Sequence, residues 1–273
     1  MSVFTRTHLS DLIYDRILSQ KDTLTAQYRS SDSGIGYFYL DNVLPEDIAT
    51  TIYTSFPSTE ETVLKKSIRQ FKHVAAQMDK YNPVLEEIIF AFQDQRIVRI
   101  IGEIANITNP LPDDNLYAGG ISMMSKGNYL NPHLDNSHDK DRNQWRVLNL
   151  LYYVTPDWEE SYGGNLEIWP NGLEKDQITI HSKFNRLAIM ATHNTSWHSV
   201  SPVSYDGTRC CISNYYFSET ALRDSDHFHV TSFRGRPGQY VIDKILQVDS
   251  KIRMGLRKVF KKGIRENPHV YKK

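Results

Sequence analysis

The sequence predicts a mainly β fold with helical additions, and two observations carry that expectation. From about residue 116, short apolar runs are divided by turn signals: Gly119-Gly120, Lys126-Gly127-Asn128, Pro156-Asp157, Gly163-Gly164, Asn171-Gly172 and Asp206-Gly207. Strands of that length and spacing indicate a sandwich or barrel. On either side of this region apolar residues recur at helical spacing instead. Helices first and strands later suit a double-stranded β-helix (a jelly roll) buttressed by N-terminal and C-terminal helices. With 273 residues, 40% of them hydrophobic, one large core is affordable, so 1–273 is expected to form a single domain. Within it, 1–112 would be a helix-rich support with a first strand, 116–220 the strand core and 237–262 a C-terminal helical region.

The elements follow in order. Leu9, Leu12, Ile13, Ile17 and Leu18 form an apolar helical face over 9–20, with Ser10 or Asp11 as its cap. The stretch 20–33 is polar and reads as a connection. Gly34-Ile35-Gly36 opens the first strand, and Pro45 begins a helix through about Ser55. Residues 61–80 are polar and basic (Lys65, Lys66, Arg69, Lys72) and show no assignable period. Asn82-Pro83 starts a helix with proline in its first position, and the pattern continues to Ile104 with a break near Asp94. After 237, Ile242, Ile245, Leu246, Ile252, Leu256 and Val259 predict one or two closing helices.

Composition excludes several classes of function. Formal net charge is zero, so nothing global suggests a nucleic-acid or membrane partner. The first twenty residues contain no continuous apolar run, so they read as neither signal peptide nor membrane anchor. Cys210 and Cys211 are the only cysteines. As strand neighbours they point to opposite faces and are not expected to pair, which suits a reduced, cytoplasmic protein. The run from Lys251 to Lys273 holds nine Lys or Arg against one acid, Glu266. It shows no regular aromatic–basic interleaving and reads as the solvated face of a supporting helix.

Four residues point to chemistry: His133 and Asp135 in NPHLD (131–135), His198 in SWHSV (196–200) and Arg209 in GTRCC (207–211). Two imidazoles and a carboxylate are the ligand set of facial-triad non-haem Fe(II) oxygenases. His133 and Asp135 stand two apart, so on an extended strand both face one way. Three such ligands cap one side of an octahedral iron and leave three positions open. Arg209 follows His198 by eleven residues on the next predicted strand, and its guanidinium can pair bidentately with a carboxylate.

Around these residues the chain resembles the Fe(II)/2-oxoglutarate-dependent dioxygenases, in their prolyl 4-hydroxylase-like branch. WRVLNLLYYVTPDWEESYGGNLEIWPNG (145–172) is similar to the strand–turn–strand after the iron-binding strand, with its paired tyrosines, DW turn and GG. NRLAIMATHNTSWHSVSPV (185–203) resembles the strand that delivers the distal histidine with a trailing H-x-V. TRCCISNYYF (208–217) resembles the strand carrying the basic residue for 2-oxoglutarate. Upstream, GYFYLDNVLPEDIATTIYTSFP (36–57) resembles the branch's first strand and helix. The resemblance implies a jelly-roll, cupin-like core and an enzyme that uses Fe(II), 2-oxoglutarate and O2, with ascorbate as a candidate reductant.

The resemblance also implies roles. His133, Asp135 and His198 would hold iron. Arg209 and Tyr153 would bind the distal carboxylate of 2-oxoglutarate, with Ser213, at the same strand parity as Arg209, assisting. Tyr152 would face the other way. Related halogenases have Gly or Ala in place of Asp135, so this carboxylate implies hydroxylation, or a desaturation or cyclisation variant. His193 is a competing distal ligand, but H-x-V follows His198. Tyr129, His138, Trp145, Asn149 and Trp197 are expected pocket-lining residues, each equally explained by packing. His227-Phe228-His229 repeats the two-residue spacing and would be a chance pair or part of a lid.

The leading expectation is hydroxylation of an unactivated C–H bond in an amino acid-derived small molecule or natural product, with release of succinate and CO2. A peptidyl or protein hydroxylase, with a channel built from 60–80 and 136–146, is the first alternative. A cupin-like metal protein without 2-oxoglutarate is another; it would usually bring three histidines and leave Arg209 without a role. A catalytically dead binding scaffold would have no use for a complete triad.

Overall fold

The computed structural model describes residues 4–117, 119–259 and 271. Among them are six α-helices and twelve strands. The expected mainly β architecture with helical additions is present.

Helix α1 (Arg6–Leu18) buries Leu9, Ile13 and Ile17, one face at four-residue spacing. Burying each such side chain is worth about 1.5–3 kcal/mol. Its cap is Thr5, whose hydroxyl accepts from the His8 amide, not Ser10 or Asp11 as expected. Ser10 lies inside the helix and donates to the Thr7 carbonyl at 3.0 Å. The apolar face begins only at Leu9, so the polar first turn left no periodic signal. Helix α2 (Lys21–Ser31) forms where the sequence reads as a polar connection. It buries only Leu24 and Tyr28, too few positions to define a period. Helix α3 (Glu46–Thr54) starts after Pro45. Helices α4 (Pro83–Ala91) and α5 (Gln95–Ile104) are separated as expected, because the Asp94 carboxylate caps α5 at the Arg96 amide. A single helix α6 (Tyr240–Val259) follows the strands. Most of the basic C-terminal run, from residue 260 apart from Tyr271, lies outside the described residues.

The strands are β1 (Tyr37–Asp41), β2 (Val63–Lys66), β3 (Gln70–Ala75), β4 (Gly120–Ser125), β5 (Tyr129–Leu134), β6 (Trp145–Tyr153), β7 (Leu166–Ile168), β8 (Ile178–Ile180), β9 (Arg186–Ala191), β10 (His198–Val200), β11 (Thr208–Ser218) and β12 (Ser232–Phe233). They run in the order β1-β9-β6-β11-β4-β3-β5-β10-β7-β8, with β12 beside β5 and β2 beside β3. The basic stretch 61–80 therefore supplies a hairpin. Its strand β3 joins two halves of the sheet. His73 pairs with Met123 on β4, while Gln70 pairs with Leu130 on β5. The sheet forms a curled half-barrel, a jelly-roll core.

Alternation along β6 explains the layering. Leu148, Leu150 and Tyr152 face the helices in a core with Ile13, Leu85 and Ile101. Tyr153 faces the barrel interior with Leu166, Met190 and Cys211. The helical layer is bonded to the sheet by Asn185, at φ 58°. Its side-chain oxygen accepts from the Leu44 amide (3.1 Å) and the Tyr152 hydroxyl (2.8 Å), and its NH2 donates to the Leu44 carbonyl (2.6 Å). Asn tolerates this left-handed backbone better than most residues.

Candidate active site

His133 near the end of β5 and His198 at the start of β10 are cross-strand partners. Asp135 follows β5 on the same side. The ligand atoms of these three residues all lie within 4.8 Å of one another, and all three side chains are buried or nearly so. Asp135 Oδ1 is 3.7 Å from His133 Nε2, and its Oδ2 is 3.7 Å from His198 Nε2. Octahedral donors bonded at about 2.1 Å lie about 3 Å apart when adjacent, so the triangle is slightly open for a first-row metal.

Each ring is oriented by its other nitrogen. His133 Nδ1 is 3.0 Å from the Asn131 carbonyl, and His198 Nδ1 is 3.0 Å from the Ser196 carbonyl. A carbonyl only accepts, so Nδ1 carries the proton and the Nε2 lone pair faces Asp135. Phe233 stacks on His133 with centroids 5.2 Å apart. Burial foremost, then neighbouring His198, pushes His133 down to about 3, which keeps the imidazole neutral and ready to ligate. Burial alone would raise the Asp135 carboxyl. His198 and Arg146, followed by His133 and Lys72, outweigh it and hold the group below its usual range. Asn149 Nδ2 donates to Asp135 Oδ2 at 3.4 Å, and Arg146 Nη1 lies 3.8 Å from Oδ1.

The triad opens into a cavity of about 80 Å³ that also takes in Tyr153, Arg209 and Ser213. Arg209 is 3% exposed, yet Nη2 donates to the Met124 thioether at 2.8 Å and, among the described residues, Nε has no partner. A guanidinium buried this way is costly unless an anion meets it. Tyr153 lies with its ring 5.4 Å from the Arg209 guanidinium. Cys211 sits opposite Tyr153, and Ser213 opposite Leu151, in the β11–β6 ladder, so the parity that puts Arg209 inward does the same for Ser213. The Gly163-Gly164 turn lies against this region. A Cβ on Gly163, at φ 78°, would sit 2.0 Å from the Pro202 carbonyl oxygen, and one on Gly164 would sit 3.4 Å from Arg209 Nε.

Of the expected lining residues, Asn149 is on the cavity wall. Tyr129, His138, Trp145 and Trp197 are not among its lining residues. Tyr129 donates to the Ser67 carbonyl, His138 and Trp145 form an isolated bridge, and Trp197 lies near Arg234. His193 is not part of the clustered triad, and its ring meets the Thr195 hydroxyl at 3.0 Å. His227 and His229 face each other at 6.1 Å. The cavity also contains a residue the sequence did not single out, Lys72 on β3. Its signal was parity with Val74, a buried residue two positions on, visible only once 70–75 is read as a strand.

Residues 119–217 match the family model described as the 2OG-Fe(II) oxygenase superfamily. Iron and 2-oxoglutarate fit the residues present: a triad with both Nε2 atoms turned to one carboxylate, and a buried, under-partnered guanidinium in the same cavity. Residues 119–217 are thus similar to the 2-oxoglutarate- and Fe(II)-dependent oxygenases, and the fold is of the prolyl 4-hydroxylase-like kind. Among solved structures, prolyl 4-hydroxylases from Phytophthora capsici superpose with a TM-score of 0.56 at 15% identity, covering 96% of this chain and 82% of theirs. A prolyl hydroxylase from Trichoplax adhaerens, in complex with a hypoxia inducible factor peptide fragment, gives 0.51 at 19% identity, covering 74% and 92%. The α-ketoglutarate-dependent epimerase SnoN of nogalamycin biosynthesis gives 0.50 at 14% identity, covering 82% and 89%. These likenesses are of fold. No curated protein sequence matches the chain.

Proposed function

We propose that the protein hydroxylates an unactivated C–H bond of an amino acid-derived small molecule or natural product, through iron held by His133, Asp135 and His198. In this reading Arg209 and Tyr153 take the distal carboxylate of 2-oxoglutarate, with Ser213 beside them. The observation that carries it is Arg209, a buried guanidinium with an unpartnered Nε, in the same cavity as the triad.

Bound iron and 2-oxoglutarate supply the oxidising chemistry: substrate, O2 and 2-oxoglutarate become hydroxylated substrate, succinate and CO2. The chain's own residues do the rest. The Asn131 and Ser196 carbonyls fix the imidazole tautomers, and Asn149 and Arg146 orient the carboxylate. Leu130, Leu166 and Val200 give the cavity apolar walls that exclude water.

A small-molecule substrate is supported by the loops beside Asp135. Ser137 and His229 exchange hydrogen bonds (Ser137 amide to the His229 carbonyl, 3.1 Å; His229 amide to Ser137 Oγ, 2.9 Å), and Phe228 is covered by His138 and Arg142. Loops laced in this way favour a narrow approach over an open peptide channel. Two free, buried cysteines fit a reducing compartment. The reading is tested by adding 2-oxoglutarate anaerobically to the Fe(II) protein and looking for the weak visible charge-transfer band of the chelate. Candidate substrates are then screened by mass spectrometry for a gain of one oxygen. A protein that binds iron but shows no band, and no succinate on exposure to oxygen, would refute it.

A further inference from the structure

Lys72 is a cation inside the catalytic cavity with no assigned partner. It comes from the hairpin β2–β3, at the point where β3 leaves β5 and joins β4. It shares the cavity wall with Met124, His133, Asp135 and Arg209. Among the described residues its amine makes no hydrogen bond or ion pair. Lysine stems bury readily, but the ammonium normally stays in water. Here it is turned into the barrel. Burial foremost lowers it to about 8; Asp135 is the leading charge that opposes this, and Arg209 adds to the lowering. The amine thus lies within electrostatic reach of both the metal carboxylate and the arginine.

Two features narrow what it could meet. The cavity encloses only about 80 Å³ and has the triad, Lys72 and Arg209 on its wall, so a ligand that fills it meets all of them. Such a ligand, 2-oxoglutarate, is a dianion, and the cavity wall carries two cations that form no ion pair among the described residues: Arg209, and Lys72, whose leading opposite charge is Asp135. We propose that Lys72 is a second cosubstrate-binding cation, which takes the carboxylate at the iron-chelating end of 2-oxoglutarate while Arg209 takes the distal one. This rests on the reading of Arg209 given above. It gives the hairpin a function in cosubstrate binding and makes the protein selective for 2-oxo acids at the chelating end independently of the distal carboxylate.

The test uses two probes, 2-oxoglutarate and 2-oxopentanoate, which lacks the distal carboxylate. Each is titrated anaerobically into the Fe(II) protein by the charge-transfer band, and into the Zn(II) protein by calorimetry. Lys72→Met should weaken both probes by a similar factor, tenfold or more, with Lys72→Arg restoring most of the affinity. Arg209→Met should weaken 2-oxoglutarate alone. Thermal midpoints and metal affinity of the variants separate a folding defect from a binding one, because a structural role would move the midpoint and leave the Arg rescue without effect. Unchanged affinity for both probes in Lys72→Met, or loss confined to 2-oxoglutarate, overturns the proposal while leaving the Arg209 assignment standing. No band with either probe in the wild-type protein would instead remove the underlying reading.

Discussion

His133 and His198 face each other across adjacent strands, with ring centroids 4.1 Å apart and planes inclined by 47°. The proposed iron site therefore rests on one cross-strand pair. The two imidazoles, 65 residues apart in sequence, are brought together by the β5–β10 ladder, and Asp135 completes the triangle from the end of β5.

His133→Ala and His198→Ala should each abolish iron binding and the charge-transfer band, because each removes one of three protein ligands. His193→Ala should retain both. Equilibrium iron titration on the three variants decides this. A functional His198→Ala protein beside a dead His193→Ala protein would mean that the distal ligand is misassigned.

Arg209→Ala should weaken 2-oxoglutarate by about 2–4 kcal/mol, the scale of losing one partner of a buried charge pair, with iron binding nearly intact. Tyr153→Phe should cost about 1 kcal/mol, one hydrogen bond to a charged group. Dissociation constants from the band report both. Unaltered constants in the two variants would place the distal carboxylate elsewhere.

On the proposed ligand set, the Asp135 carboxylate would fill the iron position that a halide needs. The wild-type protein, given its true substrate and excess chloride, should yield hydroxylated and not chlorinated product. Asp135→Gly should lose hydroxylation, chiefly by holding iron poorly. Product mass and isotope pattern make the comparison, and mainly chlorinated product from the wild type would contradict the ligand role of Asp135.

Stability should depend on pH through buried neutral histidines. Burial foremost, with Arg257 next for His138 and Arg223 next for His193, lowers both rings from 6.5 to about 3. Between those values the unfolded chain binds protons that the folded chain refuses. Stability should thus be full above pH 6.5 and fall as pH drops toward 3. Urea midpoints of the metal-free protein from pH 7 to pH 4 measure this, and His193→Asn should flatten the slope. A slope of the same steepness in that variant would exclude His193 as a source.

Gly163→Ala should destabilise the protein by about 2–4 kcal/mol, since it combines a left-handed backbone (φ 78°) with a Cβ placed 2.0 Å from the Pro202 carbonyl oxygen. Thermal or urea unfolding measures the loss. A midpoint within error of the wild type would show that the turn can relax.

Local chemistry made much of this protein legible. Asn82-Pro83 and Asp94 mark helix starts through their caps, and the structure has them there. The Gly-rich turn signals divide the strand core at positions where strands end. The two missed elements share one cause. Helix α2 buries two side chains, and lysines interrupt the apolar residues of hairpin β2–β3, so neither carries an apolar period. Their structure is imposed by what they pack against.

The sequence alone determined the ligand chemistry: two imidazoles, one carboxylate and one guanidinium, with the H-x-D spacing that sets two of them on one face of a strand. That information is local, since it depends on residue type and on the two-residue repeat of an extended chain. Only the tertiary structure decided that His198 and not His193 meets the pair, that Arg209 is buried against a thioether, and that Lys72 from a polar hairpin enters the same cavity. These are consequences of strand order and register, which long-range packing fixes and which no short window of sequence encodes.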